Sequence, residues 1–145
     1  MAKRKHKKET KLDELKACLS VCGLEITDVE QEIADGIYHE WKLKFLKPKN
    51  KRIGSCDFDS RLDGFKSDNL AIDAFDKLLI KEFYVREGLV TEGIVKCKGS
   101  LPKFEYLRKL QGSSDFYFFD KKMNWCMIIT HESEMVGDPL FIKLI

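Results

Sequence analysis

Apolar residues recur at two different spacings along this chain, and that mixture limits the fold more than any other feature. Steps of three and four mark a helix buried on one side, and steps of two mark a strand. Leu12, Leu15, Leu19 and Cys22 form one helical stripe, and Ala71, Ala74, Phe75, Leu78, Leu79 and Phe83 form a second, broader one. The C-terminal third changes character. Phe116 to Phe119, the polar run DKKMN and Trp125 to Thr130 read as a tight hairpin, and Asp138-Pro139 leads into a last strand from Leu140 to Ile145. Helices and strands without a strict βαβ alternation predict an α+β fold.

Start and stop signals divide the rest. Thr10 is placed to cap the first helix, with Asp13 near its positive end, and Gly23 to stop it. Thr27-Asp28-Val29-Glu30 has the form of a capping box, opening a helix through Val29 and Ile33 that Gly36 ends. From Ile37 the residues Ile37, His39, Trp41, Leu43 and Phe45 alternate with Tyr38, Glu40, Lys42 and Lys44, which predicts a strand with His39 on its buried face. A competing reading carries the helix through to Leu46, using Val29, Ile33, Ile37 and Trp41 at steps of four; Gly36 at the switch favours the strand. KPKNKR reads as a loop and Ile53 to Phe58 as the returning strand. Ser67 or Asp68 caps the next helix and Gly88 ends it; Leu89 to Lys98 is a strand. Ser100 caps a short helix, with Pro102 in its first turn, that carries Phe104, Leu107 and Leu110 and closes at Gly112. The expectation is one α+β domain over residues 10–145, a mainly antiparallel sheet of about five to six strands covered by three to four helices, after a flexible basic tail at 1–9.

The net charge of +2 conceals a block pattern. Residues 1–8 carry five bases (Lys3, Arg4, Lys5, Lys7 and Lys8) and no acid, so the remainder of the chain sums to −3. Residues 9–41 sum to −7 and residues 42–52 to +6, the latter from Lys42, Lys44, Lys47, Lys49, Lys51 and Arg52. Adjacent blocks of opposite sign allow separate acidic and basic faces. Removing the tail is expected to bring the pI to the acidic side and leave the fold intact. The basic start runs into the charged ETKLDELK rather than an apolar core, so it does not form a signal peptide, and the apolar run from Trp125 to Ile129 is far short of a membrane span. Five scattered cysteines without a secretion signal read as reduced thiols, and the chain is expected in the cytoplasm.

Chemistry-bearing patterns are sparse. Cys18 and Cys22 stand four apart but lack a second pair to complete a metal site, and small core residues explain them better. Cys126 and His131 stand five apart on a strand, which sends them to opposite faces. Asp57 and Asp59 with Lys96 or Lys98 approximate a metal-dependent nuclease set, but Ile94 and Lys96 occupy the positions two before those lysines, where an acid is required. Phosphate-loop, dinucleotide, zinc-protease and nucleophile-elbow motifs are absent from the sequence. No catalytic residue, metal or cofactor is assigned. Trp125, His131 and Glu132 form a candidate surface site, although large aromatics in alternating strands are usually core.

The stretch DFYFFDKKMNWCMIITHESE resembles a segment of small uncharacterised bacterial proteins and of immunity proteins that neutralise toxins. The matching residues are Tyr117, Phe118, Phe119, Asp120, Trp125, His131 and Glu132. The resemblance implies a cytoplasmic, non-enzymatic protein that blocks a partner's site by stoichiometric contact. For a basic nuclease toxin as partner, the contact residues expected are Glu30, Glu32, Asp35, Asp57 and Asp59, whose charge would speed association. The alternative is a nucleic-acid-associated protein that grips phosphates through the tail and the Lys42–Arg52 cluster, with Tyr38 and Trp41 to stack bases.

Overall fold

The hairpin that the sequence marks most clearly lies at the heart of the molecule. The computed structural model of the chain describes residues 11–45, 66–87, 93–108, 116–129 and 140–143. Along these run α1 (Lys11–Val21), β1 (Glu25–Asp28), α2 (Gln31–Phe45), β2 (Lys66–Ser67), α3 (Asp68–Asp76), β3 (Glu82–Glu87), β4 (Ile94–Lys98), α4 (Phe104–Leu107), β5 (Phe116–Phe119), β6 (Trp125–Ile129) and β7 (Leu140–Lys143). The strands form one seven-stranded sheet in the order β1-β4-β3-β5-β6-β7-β2. Every neighbouring pair is antiparallel. The α+β class and the four helices agree with the expectation; the sheet holds one strand more, and β2 is only two residues long.

β5 occupies the middle of the order, and all residues of β5 and β6 are buried. Continuous apolar runs suit such strands because both faces of the sheet are covered. On one face α1, α3 and α4 contribute Leu15, Leu19, Phe75, Phe104 and Leu107, packed against Phe83, Val95, Phe118, Trp125, Met127 and Phe141. On the other face α2 alone, among the described residues, contributes Ala34, Trp41 and Phe45 against Ile94, Tyr117, Phe119, Cys126, Ile128 and Ile142.

Four local expectations are corrected. Residues 37–45 continue a helix rather than form a strand. Ala34, Trp41 and Phe45 recur at steps of seven and four and are all buried, whereas Leu43 is 58% exposed and His39 lies in solvent instead of on a buried face. Gly36 does not break this helix. A mid-helix glycine costs about 1 kcal/mol, while burying one large apolar side chain returns about 1.5–3 kcal/mol, and α2 buries Trp41 and Phe45. The capping box does not form, because Thr27 belongs to β1, where it pairs with Lys96. The first helical amide bond, from the Ala34 N–H to the Glu30 carbonyl at 2.8 Å, instead marks Glu30 as the entry to α2.

The third helix ends at Asp76, well before Gly88. Leu79 is 94% exposed, and Phe83 and Val85 instead alternate inward along β3. The fourth correction concerns α4. Ser100 does not cap it; the Asp76 carboxylate at the end of α3 accepts the Phe104 N–H at 2.8 Å, and the Asp76 carbonyl accepts Lys103 Nζ at 2.7 Å. The expected cap Thr10, the strand over Ile53 to Phe58, Val90, Leu110, Gly112 and the boundary of the basic tail lie outside the described residues.

Candidate functional site

Helix α2 gathers most of the described residues for which a binding role is expected. Its inner side is anchored aromatically. Trp41 stacks on Tyr117 at 4.7 Å between ring centroids and on Tyr38 at 5.9 Å. The Trp41 indole N–H donates to Cys126 Sγ at 3.2 Å, joining helix to sheet inside the core. Arg86, on β3 and 4% exposed, places its guanidinium 3.6 Å from the centre of the Tyr38 ring, and Lys42 Nζ lies 4.8 Å from the same ring. A cation so placed is attracted to the negative face of the ring. Burial pushes the pKa of the Tyr38 hydroxyl above its ordinary value, making it a weaker acid, and Arg86 opposes that shift.

The outer side of α2 differs in character. Residues 29–41 hold four carboxylates (Glu30, Glu32, Asp35 and Glu40) and no lysine or arginine. All four are exposed. Gln31 Nε2 donates to Asp35 Oδ1 at 2.8 Å, one turn along. Ile33, Gly36, Glu40 and Leu43 follow at steps of three and four and share a helical face. Ile33 is 55% and Leu43 58% exposed. A Cβ placed on Gly36 would meet nothing within 4 Å, so this face presents a dent between two exposed apolar side chains.

At the C-terminal end of α2 the sign reverses. Lys42 and Lys44 occupy the last turn, where cations favour the negative end of the helix. Lys44 Nζ donates to the Lys122 carbonyl at 3.2 Å and so meets the β5–β6 turn. That turn is fixed twice by Asp120: its carbonyl accepts the Met123 N–H at 3.0 Å, and its carboxylate accepts the Asn124 N–H at 2.9 Å. Met123 is left-handed, with φ 57, and 3% exposed. Between helix and turn lies an open cleft of about 390 Å³ lined by Glu40, Leu43, Lys44, Lys121, Lys122 and Met123.

The structure therefore places Glu32 and Asp35, three apart, on one exposed surface of α2, leaves Glu30 exposed just before the helix, and sets Lys42 and Lys44 at its far end. Asp57, Asp59, the tail lysines with Arg4, and Lys47, Lys49, Lys51 and Arg52 lie outside the described residues, as do His131 and Glu132. Trp125 is not a surface residue. It is 2% exposed and packs edge-on against Phe75 and stacked on Phe141, beneath α3. Trp41, 1% exposed, is likewise not accessible for stacking a base. Lys121 and Lys122 were not singled out by sequence, since Lys122 meets Lys44 only through a hairpin turn 78 residues away.

Two of the described thiols, Cys97 and Cys126, are poor nucleophiles. Burial pushes the Cys97 thiol up to about 12. It pushes Cys126 up as well, against the lowering effect of the Trp41 hydrogen bond. A thiol so shifted stays protonated near neutrality, and the thiolate is the reactive form. Lys96 is engaged by Glu82 at 2.9 Å, and Glu82 is held below its ordinary range chiefly by that hydrogen bond. Among the described residues no group of three or more His, Cys, Asp or Glu side chains could hold a metal ion, and no helix is long and apolar enough to cross a membrane. No protein-family model, curated protein or solved structure matches the chain.

Proposed function

We propose that the protein is a cytoplasmic binding module that acts by stoichiometric contact with a basic partner protein through the outer face of α2. One observation carries this reading: Ile33 and Leu43 stand more than half exposed on either side of the open Gly36 position, among four carboxylates unaccompanied by lysine or arginine. Apolar anchors supply burial at the centre of an interface, and acidic neighbours supply attraction and register toward a basic surface. A basic nuclease toxin, neutralised in a bacterium by an immunity protein of the kind the 115–134 hairpin resembles, has the required charge. The test compares the full chain with a Glu32→Lys/Asp35→Lys variant in affinity capture, followed by native mass spectrometry. A basic protein retained one-to-one by the parent and lost by the variant supports the reading. Retention of the same proteins by both, or of none, refutes it.

The second reading is association with nucleic acid, and the meeting of Lys44 with the Lys121-Lys122 turn supports it. A salt titration against random single-stranded RNA tests it. Phosphate contacts give a steep negative slope of log affinity on log salt, and absence of binding at low salt removes this reading.

A further inference from the structure

We propose that the cleft between the end of α2 and the β5–β6 turn is a binding site for the phosphate group of a nucleotide. The proposal does not draw on the acidic-face reading; it sharpens the second reading by naming a site. Three lysines line the cleft, Lys44 from the helix and Lys121 and Lys122 from the turn, against one carboxylate, Glu40. Glu40 and the negative end of the helix offset part of this charge, and the Asp120 carboxylate in the same turn and Glu82, which feels the charge of Lys121, offset more, so the three lysines leave the cleft a modest positive excess. Among the described residues the ion pairs formed by lysine are Lys16–Asp28 and Lys96–Glu82, so none of the three cleft lysines is neutralised by a carboxylate in contact.

The turn that presents two of them is held in shape. Asp120 bonds it twice, and Met123 keeps a left-handed backbone that a side chain rarely adopts. Such strain persists only where the surroundings over-determine it, and it concentrates at ligand-binding turns. The other lining residues point to the remainder of the ligand. Leu43, 58% exposed, offers apolar surface for a base or sugar, and about 390 Å³ lies within the range of small-ligand pockets.

The test is an NMR shift titration of the full chain with AMP, with a ten-nucleotide single strand and with sodium chloride at matched ionic strength. Shifts of Lys121, Lys122 and Leu43 amides with AMP, absent with salt alone, are expected. The strand arm separates a site for free nucleotides from one that takes a phosphate within a polymer, since tighter binding of the strand, at the same amides, assigns the polymer as source. A Lys121→Glu/Lys122→Glu variant should weaken binding at least about tenfold, as loss of a charge-assisted hydrogen bond implies. Both side chains are exposed, so the fold should survive, and a Lys122→Gln variant provides a milder second measure. No shift with AMP or the strand at millimolar concentration, or equal affinity in the reversed variant with native circular dichroism, would overturn the proposal.

Discussion

Met123 permits a sharp separation of backbone strain from side-chain packing. Its φ is 57, in the left-handed region, and its side chain is 3% exposed within the cluster that α2 covers. A left-handed residue other than glycine costs about 1–2 kcal/mol. Truncation of a buried methionine to alanine costs about 2–5 kcal/mol. Met123→Ala should therefore lose the packing and keep the strain. Met123→Gly loses the packing, with one further carbon, but releases the strain. Glycine gives back about 0.5–1 kcal/mol through the greater freedom of its unfolded chain, which leaves it less damaging than alanine by about 0.5–1 kcal/mol. Both variants should be less stable than the parent, in the order parent, glycine, alanine. Urea unfolding followed by tryptophan fluorescence measures this directly, because Trp41 and Trp125 are both core residues. With a slope of about 1–3 kcal/mol per molar urea, the two variants should differ by a few tenths of a molar in midpoint. An alanine variant as stable as the glycine variant, or more so, would refute the reasoning, because the left-handed backbone would then carry no cost.

Glycines elsewhere should respond in opposite directions. Gly36→Ala should stabilise by about 0.5–1 kcal/mol, since its Cβ meets nothing and its φ is not positive, whereas Gly23→Ala should destabilise because φ is 87 there; thermal melts of both decide. Trp41→Ala should cost about 3–5 kcal/mol, and Trp41→Phe less, by loss of the hydrogen bond to Cys126; double-mutant cycles with Cys126→Ala should show coupling between the two. The Cys97 thiol is raised from 9.0 to about 12 in the folded chain. Its contribution is therefore complete below pH 9 and lost as pH rises through that window, because the unfolded chain sheds the proton first. Urea midpoints compared between the parent and Cys97→Ala should converge as pH rises from 9; a constant difference would contradict the assignment.

The residues explain which parts of the fold could be read in advance. The β5–β6 hairpin was legible because two apolar runs flank a polar stretch containing Asp120, whose carboxylate then closes the turn. The Ile37–Leu46 segment was not, because positions 37, 41 and 45 satisfy a period of two and a period of four equally. The deciding positions are Ala34, which is buried beyond the supposed switch, and Leu43, which is exposed where a strand would bury it. The helix expected to reach Gly88 failed for a related reason. Phe83 continues the helical spacing from Phe75 and also begins the inward alternation with Val85, and only the sheet, by pairing Phe83 with Cys97, resolves the choice. β1 was hidden behind a capping-box pattern. The acidic face of α2 was recoverable, because Glu30, Glu32 and Asp35 face solvent whichever element follows. The lysine cleft was not, because helix and turn meet only in the folded chain.

Helix α2 thus separates two demands on one segment. Its inner residues, Ala34, Trp41 and Phe45, attach it to the sheet, and the bond from Trp41 to Cys126 is internal to the core. Its outer residues Glu32, Ile33, Asp35 and Gly36 are exposed, and the bond from Gln31 to Asp35 stays within the helix. Surface substitutions away from packed or bonded features usually change stability by no more than about 0.5 kcal/mol. Charge reversal at Glu32 should therefore leave the fold in place, so a loss of partner binding reports on the interface alone. Reversal at Glu40 is different, since that residue also lines the cleft. Glu40→Lys should weaken attraction to a basic protein and strengthen attraction to a phosphate at once. A single variant thus drives the two proposed activities in opposite directions, which a general loss of folding cannot imitate.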